Sequence, residues 1–122
     1  MSAEFKAEFN IVIVRAEGNL NNETEAFIVK NALKVATEEN CTKIFFDYSK
    51  VKDTASMLEI YESPILYDLW GVTYNFRIAV LYSEDEKNFK FWETRMVNKG
   101  FSAQVFRNED EAIKWLSSDI PY

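Results

Sequence analysis

The chain is 122 residues long, 48% apolar and 16% aromatic, which fits one globular domain with a bulky, Phe-rich core and leaves no room for a second. A formal net charge of −6 argues against nucleic acid or an anionic membrane surface as a partner, because both are held by a basic footprint. With no His and a single Cys, Zn sites, an internal disulfide and Ser-His or Cys-His nucleophilic systems are excluded.

At the amino terminus Phe5, Ala7 and Phe9 alternate with Glu4, Lys6, Glu8 and Asn10, the period of a half-exposed strand. The apolar run from Ile11 to Ala16 follows at once, so the two predict a hairpin turning near Phe9 and Asn10. Nothing here has the form of a signal peptide, and no stretch approaches the ~18 apolar residues that span a bilayer. The expected location is the cytoplasm, with no stable membrane insertion.

Gly18 to Asn22 reads as a loop of turn formers, and Glu23 to Glu39 as a helix with Ile28, Val29, Ala32, Leu33 and Ala36 inward. Asn22 with Glu25 is the first of four pairs in which a polar residue precedes a Glu by three positions. The others are Ser56 with Glu59, Ser83 with Glu86 and Asn108 with Glu111. Such a pair can satisfy orphan N–H groups of a first turn, so each predicts a helix start just past a strand. Lone Cys41 reads as a reduced thiol after the helix.

Lys43 to Tyr48 holds Ile44, Phe45 and Phe46, too short for a helix and suited to a central strand, with Asp47 at its exit and Asp53 a loop later. From Ser56 to Trp70 a second helix is apolar on more than one stripe, and Pro64 inside it predicts a kink or two short helices. Phe76 to Tyr82 is the clearest buried strand. A third helix capped by Ser83 turns Phe89, Trp92 and Met96 inward and ends at Gly100. Ala103, Val105 and Phe106 give a last strand, Asn108 opens a closing helix with Ala112, Trp115 and Leu116 inward, and Pro121 stops it. The sum is an α/β domain over residues 1–122, with five strands and four helices.

This order of elements resembles the STAS superfamily, the fold of bacterial anti-sigma-factor antagonists, and in particular its SpoIIAA-like (STAS-like or Sec14-like) branch. The likeness rests on the hairpin, on Glu17-Gly18-Asn19-Leu20 leading into the first helix, and on Ile44-Phe45-Phe46-Asp47 followed by Val51 and Asp53-Thr54-Ala55-Ser56. Arg77-Ile78-Ala79-Val80-Leu81 and the run from Gly100 through Asn108 to Leu116 complete it. The resemblance implies a single-domain STAS-like fold, a mixed, mostly parallel five-stranded sheet with an N-terminal hairpin and four helices. In the family's phosphorylation switches an Asp-Ser-Ser-Gly run carries the modified Ser; here that place reads Asp53-Thr54-Ala55-Ser56, so the resemblance marks Thr54 and Ser56 as phosphoacceptor candidates although the Gly is missing.

Asp47 and Asp53 are the acids at strand exits, where α/β sites tend to lie, and an Asp-dependent hydrolase or phosphotransfer reaction would have to use them. Neither a metal-binding acidic pair nor a phosphate-cradling glycine loop accompanies them, so no metal, no cofactor and no enzyme activity are expected. The remaining feature is the aromatic and apolar surplus of the second and third helices: Tyr61, Ile65, Tyr67, Trp70, Phe91 and Trp92. Phe91 and Trp92 are adjacent and cannot share one stripe, so some of this surface is left over for an interface or an apolar ligand. The expectation is a non-enzymatic interaction module that forms a homodimer and takes a regulatory protein partner. The alternative is a carrier or sensor of a small lipophilic molecule, in keeping with the Sec14-like label.

Overall fold

A computed structural model describes residues 1–118. Strand β1 (Ser2–Lys6) runs antiparallel to β2 (Ile11–Leu20), and the chain reverses between them at Asn10, whose φ of 55° is left-handed. Helix α1 (Asn22–Glu38) leads to β3 (Lys43–Asp53), then come the short α2 (Met57–Tyr61) and α3 (Ser63–Trp70), β4 (Arg77–Tyr82), α4 (Glu86–Asn98), β5 (Ser102–Phe106) and α5 (Glu109–Ser117). The sheet order is β1-β2-β3-β4-β5, parallel from β2 onward. The expected mixed sheet and hairpin are both present. Among the described residues there are five helices rather than four, because Pro64 at the start of α3 separates it from α2. The expected stop at Pro121 lies outside the described residues.

Two elements are longer than their apolar runs suggest. β2 continues through Gly18 to Leu20 and β3 through Val51 to Asp53, pairing with each other past a register shift between Arg15 and Glu17. The expected loop at Gly18 to Asn22 is therefore mostly strand, and Asp47 lies within β3 instead of at its exit. Cross-strand pairing supplies what polar sequence hides.

Because each parallel strand is added on the same side of the last, crossovers of one hand place their helices on one face. Val12, Val14, Ile44, Phe46, Tyr48 and Val80 meet α1 through α4 there in the larger core cluster. Ile11, Ile13, Phe45, Ala79 and Leu81 point the other way, to Ala112 and Leu116 of α5. Alternation along β2 and β3 before their register shift feeds both layers.

Helix starts follow the predicted chemistry in two of four places. Ser56 and Glu59 form a reciprocal box, and the Asn108 side chain accepts from Glu111 N–H. At α1 the box is Asn21 with Thr24, one residue earlier than expected, and at α4 Asp85 holds the cap position without a side-chain capping bond while Ser83 donates to the Ser49 carbonyl. Gly100 follows the end of α4 at φ 101°, and Phe101 N–H closes back to the Met96 carbonyl. A Cβ there would meet the Tyr74 ring at an ordinary 3.8 Å. Gly100→Ala should therefore cost only the left-handed backbone, about 1 kcal/mol in urea unfolding.

Candidate functional site

Two places gather the residues singled out by sequence: a cleft at the carboxyl ends of β2 and β3, and the outer surface of α2 and α3. The cleft is bounded by Leu20 at the end of β2, Asn22 and Glu25 in the first turn of α1, Asp53 at the end of β3, Ala55 and Ile60 of the α2 region, and Phe89 and Trp92 of α4. Its enclosed part gives the centre of a water-sized group about 20 Å³.

Glu25 does not reach back to cap α1. It is 8% exposed, points inward, and accepts a hydrogen bond from the Tyr67 hydroxyl at 2.8 Å, joining α1 to α3. Burial pushes its carboxyl up to about 7; the Tyr67 bond opposes this and the charge of Asp53 adds to it. Burial also raises Asp53, with the charges of Asp85 and Glu59 reinforcing it, and lifts the Tyr48 and Tyr67 hydroxyls well above their ordinary value. Sequence reasoning missed Glu25, Tyr48 and Tyr67 as a polar group inside the core.

The two acids named from sequence are both engaged locally. Asp47 accepts from the N–H and hydroxyl of Ser49 and from Arg15, which also pairs with Glu109. Burial would raise the Asp47 carboxyl, but Ser49 and then Arg15 outweigh it and hold it below its ordinary value. Asp53 accepts from Ala55 N–H, while its own N–H donates to Asp85. Both are side-chain turns onto backbone two residues on, and they face different neighbours. Among the described residues no three His, Cys, Asp or Glu side chains gather as a metal site.

Thr54 and Ser56 stand at the start of α2. The Thr54 hydroxyl donates to the Leu20 carbonyl and the Ser56 hydroxyl accepts from Glu59 N–H, so each has a capping or bridging task. A phosphate on Ser56 would displace that cap and meet the charges of Glu59 and Asp53.

The aromatic surplus divides between core and surface. Tyr67 and Trp92 are buried and belong to the core, with ring centroids 5.8 Å apart, so they are no part of an exposed interface, although Trp92 lines the cleft. Trp70 and Phe91 are half-buried against the same core. Tyr61 and Ile65 are exposed, at 53% and 62%, and with Met57 and Leu69 they recur every fourth residue along α2 and α3, beside exposed Leu58. Each contributes on the order of 100 Å² of apolar surface, a patch of roughly 500 Å², at the size where surface patches on monomers become functional. Arg95 of α4 holds Tyr61 in place, stacking 3.8 Å from its ring and donating to its carbonyl. From Asp53 to Phe76 there is no Lys or Arg, and exposed Glu62 and Asp68 lie along the same helices, so apart from Arg95 the patch has an acidic margin.

No protein-family model matches the chain, and no curated protein matches it by sequence. Solved structures do match. A protein of the DUF3478 family with a SpoIIAA-like fold from Shewanella loihica PV-4 superposes with a TM-score of 0.56 at 18% identity, covering 94% of this chain and 90% of that one. The anti-sigma factor antagonist SpoIIAA in its unphosphorylated form is also similar, with a TM-score of 0.48 at 14% identity over 94% of this chain and 96% of that one. The chain thus has a SpoIIAA-like, STAS-type fold, as its sequence resemblance implied. Among the described residues no helix is long and apolar enough to cross a membrane.

Proposed function

We propose that this is a non-enzymatic interaction module that pairs with a second copy of itself through the α2–α3 patch, and presents the same surface to a regulatory protein partner. The observation that carries the reading is the run Met57, Tyr61, Ile65 and Leu69, exposed at four-residue spacing while the neighbouring Ile60 and Tyr67 fill the core. An apolar row of this kind is the helix-on-helix docking surface that a bundle would bury. Two copies together would cover on the order of 1,000 Å², the low end of a specific interface. The engagement of Asp47 and Asp53 in local turns supports the non-enzymatic half.

Light scattering across a dilution series tests self-association. A mass that falls from dimer to monomer on dilution is the expected result, and a strict monomer at all concentrations removes this half of the reading. Facing acidic margins repel, so the homodimer should tighten as salt rises. A partner with a basic margin would show the opposite salt dependence.

Carriage of a lipophilic molecule has a separate place to act. An open groove of about 410 Å³ beside Leu20, Ile28 and Val51 is overhung by Phe27, which is 61% exposed. Native mass spectrometry of freshly purified protein tests it: a retained lipid supports the carrier reading, and a bare chain leaves the groove without a ligand.

A further inference from the structure

Behind Asn22 and Ala55, the inner wall of the cleft carries two carboxyl groups and a phenol. Glu25 is buried and only one of its oxygens has a hydrogen bond, from Tyr67. Asp53 lies near enough for the two charges to repel. The Tyr48 hydroxyl is shut away from solvent, 1% exposed over the whole residue, and among the described residues no group bonds to it. Two carboxyl groups that repel once both are ionised, and an unbonded hydroxyl, around one small space cost free energy unless a further group completes them.

We propose that this cleft binds a protonated primary amine, its ammonium head seated between Glu25, Asp53 and the Tyr48 hydroxyl and against the rings of Phe89 and Trp92. The signs select the class. No Lys or Arg lines the cleft, so an anion would face two carboxyl groups with no cation to offset them, although the Trp92 indole N–H there is also unbonded among the described residues. No third acid, Cys or His lines the cleft, and among the described residues no three such side chains gather as a metal site; two carboxylates with a phenol fall short of the oxygen shell that Ca²⁺ or Mg²⁺ takes. An ammonium group needs only acceptors for its N–H bonds, which both carboxylates and the phenol oxygen supply. Aromatic walls attract it further through their negative faces. The 20 Å³ admits one non-hydrogen atom at depth, so an alkyl tail would leave toward the more exposed lining at Asn22 and Ala55, and a fully methylated ammonium would not enter. This site is separate from the α2–α3 patch and does not rest on its use.

Thermal unfolding of the full chain, with methylammonium chloride titrated at constant ionic strength against sodium chloride, tests the proposal. The expected result is a saturable rise in Tm of roughly 4 °C that tetramethylammonium chloride does not produce. Glu25→Gln keeps an acceptor for Tyr67 but loses the charge, and should abolish the rise; Tyr48→Phe should weaken apparent affinity several-fold. Superimposable curves for the three salts would overturn the proposal. So would a methylammonium effect undiminished in Tyr48→Phe, which decides the matter even if Glu25→Gln does not fold.

Discussion

Glu25→Gln should stabilise the fold at neutral and alkaline pH, and flatten its pH dependence. In the folded chain burial keeps the Glu25 proton bound up to about 7, against an ordinary 4.5. The folded state therefore holds more protons than the unfolded state between those values, and the stability contributed by the Glu25 proton, complete below the lower one, declines with rising pH and is lost once pH passes the upper. That span corresponds to on the order of 3 kcal/mol. Asp53, also raised by burial, works in the same direction. Asp47, held low against its own burial by Ser49 and Arg15, has the reverse sign: its contribution is present above the ordinary carboxylate value and is lost as pH falls through the lowered one. The wild type should accordingly be most stable in mild acid. Urea unfolding near pH 8 should show Glu25→Gln more stable by roughly 1–3 kcal/mol, since Gln still accepts from Tyr67. A variant less stable than wild type at that pH, with an unchanged pH profile, would mean that Glu25 is not a buried, proton-holding acid.

The second large effect concerns association. Replacing Ile65 and Leu69 together by Asp places charge in the middle of the exposed row, where each side chain is more than half exposed in the single chain. Folding stability should change by no more than about 0.5 kcal/mol per site, as at other exposed positions. Dimerisation should weaken by at least ~100-fold, because both copies lose two apolar anchors and gain like charges on helices that carry no Lys or Arg of their own. Sedimentation equilibrium measures it, with circular dichroism as the check on the fold.

Much of the architecture was legible because local chemistry and tertiary packing agree. Pro64 divides α2 from α3, Gly100 ends α4, and Ser56 with Glu59 closes a box, each for a reason contained in a few consecutive residues. The adjacency of Phe91 and Trp92 also spoke correctly: Trp92 is buried and Phe91 only half so. What failed was decided at long range. Asn21 takes the cap expected of Asn22, whose own N–H donates to Glu59 of α2. Ser83 is drawn away by a carbonyl 34 positions earlier. Glu25 has the spacing of a capping acid but finds Tyr67, 42 positions on, and no local pattern distinguishes those two fates. Tyr67 and Tyr61 are likewise the same residue type on consecutive helices, and the sheet beneath decides which is core and which is surface.

Amide hydrogen exchange at two protein concentrations tests the docking surface most directly. Protection that rises with concentration across residues 57–70, and not on α5 or the β1–β2 hairpin, is the predicted result. Exchange in that segment independent of concentration, or protection that grows on another face while 57–70 stays open, would contradict it.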